Sequence, residues 1–320
     1  MRAAVYYENG GPSVLRHEEV PDPLMRPRSV LIEVEAISIE GGDTLNRLGG
    51  ALATTPHIVG YQCGGTIRAV GEEVTDRHVG QRVVASMAFG SHAELAAVPV
   101  GSTWVVPDGL DMLTAACVPI AFGTADDCLF EFGHLVAGET VLIQAGASGV
   151  GIAAIQLAKR AGATVLATAS STEKLERLTE FGLDHGINYV ETDFMIETRR
   201  LTDGRGVDLV VDSVGSTLPG SIASLAYRGR ISYVGNAGRD AQPIDVAPLM
   251  LGNQSLSGVF LGAEFGHGGR AHANIQRLLD DVAAGELRMI IDRTFPLAEA
   301  AAAHAYLEQR RAFGRVALVP

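Results

Sequence analysis

The stretch "SVLIEVEAISI", Ser29 to Ile39, alternates apolar and polar side chains with the two-residue period of a strand that buries one face. "GGTIRAVGEEV" and "GQRVVASMAFGSHAELAAVP" continue in that style, broken by glycines, so the N-terminal part predicts a partly closed, antiparallel β-rich domain. From Glu139 the pattern becomes strand, turn and helix in repetition. "ETVLIQAG", "ATVLATA", "DHGINY", "VDLVVDSVG" and "GRISYVGNAG" read as strands. "ASGVGIAAIQLAKRAG", "TEKLERLTEFG" and "FMIETRRLTDG" read as helices between them. Strands alternating with helices of that length predict a doubly wound parallel sheet. "NIQRLLDDVAAGEL" is a further amphipathic helix, and the tail from Met289 predicts a strand, a helix and a last strand that return to the first domain. The expected division is 1–120 with 286–320 for the β-rich domain and 121–285 for the doubly wound one.

A chain of 320 residues, 47% of them hydrophobic, is long enough for two domains with real cores. It shows no uninterrupted apolar run of about 18 residues, the length of a membrane span. Its start, "MRAAVYYENGG", moves into strand-like alternation without the basic and apolar regions of a signal peptide. A net charge of −12 argues against a nucleic-acid backbone as partner. Three cysteines, Cys63, Cys117 and Cys128, form no C-x-x-C pair, so neither a zinc knuckle nor a disulfide framework is expected. The expectation is a cytoplasmic protein with no nucleic-acid or membrane partner.

"VLIQAGASGVGIAAIQLAK" sets a glycine-rich turn between a strand and a helix, where a diphosphate can rest on exposed amides at the positive end of the helix dipole. Gly146, Gly149 and Gly151, with Ser148 and Val150 between them, are the candidate contacts. The strict G-x-G-x-x-G spacing is not met, because Ser148 occupies the middle glycine position. At the end of the next strand, where an NAD site usually has Asp or Glu for the ribose 2′-hydroxyl, the chain offers Ser170, Ser171, Thr172 and Lys174. Hydroxyls and an ammonium suit a 2′-phosphate, so Ser170 and Lys174 point to NADPH.

"AISIEGGDTLNRLGG", "PHIVGYQCGGTIRAVGEEV", "VGQRVVA", "GETVLIQAGASGVGIAAIQLAK", "DHGINY", "VVDSVG" and "YVGNAG" follow one another in an order that resembles the medium-chain dehydrogenase/reductase superfamily, and within it the zinc-independent quinone oxidoreductase branch. The resemblance runs along nearly the whole chain. It implies an α/β fold, a Rossmann doubly wound parallel sheet plus a discontinuous GroES-like β-rich domain. Zinc-dependent members carry a Cys three residues before an Asp, a G-H-E motif and a third ligand further on. Asp43 matches that Asp, which puts Glu40 at the first ligand. "GYQ" puts Tyr61 and Gln62 in place of His and Glu, and Ile120 falls at the third ligand. One ordinary ligand out of three does not make a catalytic zinc site, so no metal is expected.

The resemblance then implies NADPH-dependent, zinc-independent hydride transfer to a small molecule, a quinone or an α,β-unsaturated carbonyl compound. Tyr61 is the expected hydrogen-bond donor in place of the Lewis acid, with an aromatic lid as the alternative role. Glu40 stands where this branch usually has Asn; it could bond the nicotinamide ribose, relay a proton, or pair structurally with Arg47. Asp43 is read as loop support and His57 as a loop histidine. Thr124 resembles the threonine beside the nicotinamide amide, and Tyr189 the tyrosine flanking the adenosine phosphate. Ser213 and Asn236 lie at strand ends, where doubly wound sheets bind ligands. "SLSGVFLG", Ser255 to Gly262, resembles the segment that pairs with its twin in a homodimer. The alternatives are an enoyl-thioester reductase and a cofactor-binding structural or regulatory protein with little turnover.

Overall fold

Burial along Ser29–Ile39 follows the alternation up to Ala36, with Val30, Ile32 and Val34 inside and Glu33 and Glu35 facing water; from Ala36 onward every residue is buried. The strand needs partners on both edges. It pairs antiparallel with Gln62–Val70 on one side, and with Leu95–Pro99 and Arg315–Val319 along the other. The computed structural model describes residues 1–240, 243–267 and 269–320. It divides into two units, Met1–Ile120 with Phe265–Pro320, and Ala121–Glu264.

In the first unit a seven-stranded sheet runs in the order Ile291–Pro296, Arg315–Val319, Ser29–Ile39, Gln62–Val70, Arg82–Ser86, Thr103–Val105, with Leu95–Pro99 paired to Ser29–Ile39 off this path. A smaller sheet joins Arg16–Glu19, Arg2–Tyr6 and His57–Ile58. Two features differ from the sequence reading. A helix, Gly41–Gly49, interrupts what reads as continuous β structure. The amphipathic helix Arg270–Ala283 belongs to this unit, so the second boundary falls after Glu264 and not after residue 285. The physical reason is its docking on the strand Thr103–Val105. Trp104 Nε1 donates to His272 O at 2.9 Å, the two rings stack at 5.0 Å, and Gln276 Nε2 donates to Val105 O at 3.0 Å.

The second unit holds a six-stranded, all-parallel sheet in the order His185–Asn188, Thr164–Ala169, Thr140–Ile143, Val207–Asp212, Leu225–Tyr233, Ser255–Gly258. Chain order reverses at Thr140–Ile143, whose neighbours are the second strand on one side and Val207–Asp212 on the other. That is the switch point at which doubly wound sheets bind ligands. A helix not read from sequence, Leu218–Ser224, follows Val207–Asp212. One stretch, Met112–Glu131, is long and apolar enough to cross a membrane; 78% of its most apolar window is buried inside the protein, as in a core helix.

The first unit is tied internally by a buried polar chain. Arg47, fully buried on the helix Gly41–Gly49, donates through Nε to Gly10 O at 3.0 Å, through Nη2 to Glu308 Oε1, and through Nη1 to His304 Nδ1 at 2.8 Å. A guanidinium only donates, so His304 Nδ1 accepts and its proton sits on Nε2. That proton goes to His92 Nε2 at 3.1 Å, which leaves His92 Nδ1–H to donate to Ser91 Oγ at 3.3 Å. Both rings are neutral, with tautomers set by the arginine. Burial lowers the His92 pKa from 6.5 to about 3. Below pH 6.5 the unfolded chain therefore takes up a proton at His92 that the folded chain refuses until about pH 3, and stability present above that window is lost as pH falls through it. In urea titrations between pH 6.5 and 4, His92→Gln should flatten the fall in unfolding free energy by about 1.4 kcal/mol per pH unit, one proton's worth. An unchanged slope would mean His92 does not titrate in this way.

Candidate functional site

In the first unit the register Val316 to Ile39 and Ala317 to Ser38 carries the side chain of Arg315 to Glu40, the residue that follows the strand. Arg315 Nη2 donates to Glu40 Oε1, to Ser38 Oγ at 2.6 Å and to Ile39 O at 2.8 Å, while Nε donates to Ser38 Oγ at 3.1 Å. Ser38 passes its own proton to Glu40 Oε1 at 3.1 Å. Glu40 and Arg315 are 3% and 6% exposed, so this is an ion pair taken out of water. It corrects the structural pairing considered for Glu40: its cation is Arg315, and Arg47 serves Glu308 and His304. Burial pushes the Glu40 carboxyl up, against the pull of Arg315 and Ser38. Burial also opposes the Arg315 charge, but Glu40, with smaller help from Cys117 and Tyr61, outweighs it and holds the guanidinium above its ordinary value.

Glu40 also begins the helix Gly41–Gly49. Its amide N–H donates to Asp43 Oδ2 at 2.8 Å, which satisfies one of the donors that a helix start leaves over. Asp43 is fully buried, and burial pushes its carboxyl well above the ordinary range, with the charge of Glu40 adding to the effect. Tyr61 lies against this helix start. Its Oη lies close to Gly42, where a Cβ would come within 2.7 Å of that oxygen, so the close approach favours glycine. Burial, then the charges of Glu40 and Asp43, raise the phenol well above its ordinary value. Tyr61 is thus a hydroxyl that keeps its proton and can donate a hydrogen bond.

The remaining positions of the metal pattern serve other ends. Gln62 accepts from the Ile120 amide at 2.7 Å through Oε1 and donates to Ala116 O through Nε2, clamping two turns of the helix Met112–Asp126. Ile120 offers no ligand atom, and Glu40 is committed to Arg315. Among the described residues no group of three His, Cys, Asp or Glu could hold a metal ion. His57 is buried, not a surface loop residue; its ring lies 5.2 Å from those of Tyr6 and Phe89. Burial pushes the Cys63 thiol up to about 12 and the Cys117 thiol up to about 11, so neither is an activated nucleophile.

In the second unit the turn after Thr140–Ile143 carries Ala145 at φ 53°, in the left-handed region, and closes with Gly146 N–H to Thr168 O at 2.8 Å. Ser148, the departure from the glycine fingerprint, is the N-cap of the helix Gly149–Arg160: its Oγ accepts from Gly151 N–H at 3.0 Å. A Cβ on Gly151 would meet Ala145 O at 2.4 Å and Gly146 O at 2.6 Å, so the turn packs onto the helix only with glycine there. Val150 follows in the first turn of that helix. Ser170 ends the next strand, and Ser171 caps the helix Thr172–Leu178 by accepting from Lys174 N–H at 3.3 Å. Tyr189 is 43% exposed just past His185–Asn188, and Thr124 is buried on Met112–Asp126. Ser213 follows Val207–Asp212. Asn236 Oδ1 is buried without a partner beside Gly215, an acceptor left over for a donor on a ligand. Amides at a capped helix start and a leftover acceptor at the sheet's switch point fit a dinucleotide. Asp212, Thr168, Gln144 and Arg315 were not singled out from the sequence; nothing local marks them.

The family model of the alcohol dehydrogenase GroES-like domain matches residues 26–108, and that of the zinc-binding dehydrogenase matches residues 149–282. A 2-haloacrylate reductase of Burkholderia sp. is 33% identical over 99% of this chain and 98% of its own length. A quinone oxidoreductase of Pseudomonas aeruginosa is also 33% identical, over 97% of each chain. A mycobacterial protein solved as a complex with NADPH superposes over 100% of both chains with a TM-score of 0.95 and 35% identity. The chain belongs to the medium-chain dehydrogenase/reductase superfamily, in its quinone oxidoreductase branch.

Proposed function

We propose that this NADPH-dependent oxidoreductase works without zinc and reduces an uncharged quinone or α,β-unsaturated carbonyl compound. The observation that carries the reading is the buried Glu40–Arg315 pair at the start of Gly41–Gly49, in the position of a first metal ligand and beside the protonated phenol of Tyr61. Bound NADPH supplies a hydride. The protein's share is to hold the cofactor and polarise the acceptor. Gly146, Ser148, Gly149, Val150 and Gly151 take the diphosphate; Ser170 and Lys174 take the 2′-phosphate; Thr124, Tyr189, Ser213 and Asn236 complete the contacts. Tyr61, which keeps its proton, turns it to the acceptor carbonyl. Because ionisation would set a phenolate against Glu40 and Asp43, Tyr61 donates a hydrogen bond without giving up the proton, which comes from water. Glu40 acts by holding Arg315 and the helix start that seats Tyr61. Since Glu40 occupies that guanidinium, a carboxylate-bearing acceptor meets a cation already neutralised.

NADPH oxidation followed at 340 nm with a quinone, a neutral enone and a 2-haloacrylate, with and without chelator, tests this. Turnover should survive chelation and favour the neutral acceptors. Tyr61→Phe should lower kcat by about 100- to 1,000-fold, the range of one polarising donor, with KM for NADPH within about twofold. Chelator-sensitive turnover, or Tyr61→Phe at full rate, would overturn the reading.

Lys174→Ala should raise the KM for NADPH by about tenfold and leave that for NADH nearly unchanged, as the loss of a charge-assisted bond to the 2′-phosphate requires. Equal effects on both cofactors would remove Lys174 from that role.

Among the described residues the strand Ser255–Gly258 ends the sheet with one edge unpaired, and Tyr227, Met250, Leu251 and Phe260 are 71%, 75%, 89% and 74% exposed. An open edge beside apolar surface favours pairing with a second copy. Light scattering should give twice the 33.6 kDa of one chain, and Ser257→Pro should give the monomer. A monomeric parent chain would dismiss the homodimer.

A further inference from the structure

Asp212 ends its strand fully buried, and its carboxylate accepts from four groups that follow it: Val214 N–H and Gly215 N–H at 3.0 Å each, Thr217 Oγ1 at 2.8 Å and Ser221 Oγ at 2.7 Å. The last of these continues across the sheet. Ser221 Oγ accepts from Gln144 Nε2 at 3.3 Å, Gln144 Oε1 accepts from Thr168 Oγ1 at 2.8 Å, and Thr168 Oγ1 accepts from Ala145 N–H at 3.1 Å. All four side chains are at most 2% exposed. An ionised carboxylate only accepts and a backbone amide only donates, so each hydroxyl and the Gln144 amide have a single consistent orientation. The chain spans the three adjacent strands Thr164–Ala169, Thr140–Ile143 and Val207–Asp212 at their carboxyl ends. It starts at Ala145, the residue held in the left-handed region at the head of the glycine turn.

We infer that Asp212, acting through Ser221, Gln144 and Thr168, is a positioning residue that fixes the glycine turn for the cofactor's diphosphate. The same carboxylate orders the turn of Ser213 and Gly215, beside which Asn236 Oδ1 waits unpartnered, so one charge sets both cofactor turns. The inference rests on the cofactor placement proposed above.

Its test is calorimetric binding to the full chain of NADPH and of 2′-AMP, which keeps the 2′-phosphate and lacks the diphosphate, with thermal melts alongside. Ser221→Ala and Thr168→Val should each raise the Kd for NADPH about tenfold, one buried hydrogen bond's worth, and leave that for 2′-AMP within about twofold. Thr168→Ser, which restores the hydroxyl, should return NADPH binding to within about threefold. Ser221→Ala leaves Asp212 its three other donors, so it tests the relay even if Thr168→Val fails to fold. Wild-type NADPH affinity in Ser221→Ala, or equal losses for both ligands, would overturn the proposal, the second pointing to general loosening. Gly149→Asp separates the two readings, since it sets a carboxylate at the turn itself. If it binds NADPH normally, the diphosphate placement falls and the relay with it. If it binds poorly while Ser221→Ala and Thr168→Val bind normally, only the relay falls.

Discussion

A guanidinium removed from water has to be neutralised where it lies, and in this chain that requirement sits on Arg315. Its pairing with Glu40, Ser38 and Ile39 O spans the two ends of the sequence, 275 residues apart. Breaking a buried pair by deleting one partner costs about 3–5 kcal/mol, because the other charge is left stranded. The pair therefore selects one register for the last strand: a shift of one residue would turn the Arg315 side chain to the opposite face of the sheet. The same return brings His304 and Glu308 to Arg47, so both ends of the helix Gly41–Gly49 are held by groups from the final segment. Nine residues that include three glycines have little helical propensity of their own. What keeps them helical is a buried charge at each end.

The second unit uses a carboxylate where the first uses a guanidinium. Asp212 is met by four hydrogen-bond donors, two backbone amides and two hydroxyls, in place of a cation. The two solutions leave different chemistry behind. Around Arg315 the guanidinium, the Glu40 carboxylate and the Ser38 hydroxyl are bonded to one another. Around Asp212 the carboxylate takes two backbone amides and two hydroxyls, and the chain that continues from Ser221 ends on the Ala145 amide at the head of the glycine turn.

The division between what was legible in the sequence and what was not follows from this. Alternation in "SVLIEVEAISI", the strand-turn-helix rhythm after Glu139 and the glycine turn are local patterns, and they appear where the sequence places them. The helix Gly41–Gly49 was not legible because its stability comes from residues 304 to 315. The boundary after Glu264 was missed because Arg270–Ala283 reads as one more helix of the doubly wound unit; only its contacts with Trp104 and Val105 reassign it. For the site, the motif order singles out Tyr61 and Glu40, which the structure places together at the start of Gly41–Gly49. Pairing with Arg47 was one of three roles open to Glu40 from the sequence; register in the sheet gives it Arg315. Ser148 counted against the fingerprint until its hydroxyl was seen capping the helix, a role that serine fills better than glycine.

The chemistry left to such a site limits its acceptor. A metal ion polarises a carbonyl strongly enough to draw hydride onto an unactivated carbon. In the proposed role, a phenol that keeps its proton would do less, since it would stabilise the developing oxyanion by one hydrogen bond. The shortfall has to be made up by the acceptor. Quinones and conjugated enones are electron-poor without assistance, because hydride addition gives an aromatic or a delocalised anion. Simple ketones lack that advantage. Glu40 and Arg315 extend the argument to charge, since together they present no net positive field to a carboxylate or a phosphate. Under the proposed function, a neutral, conjugated acceptor is what a site with one donor and a cancelled charge pair would reduce.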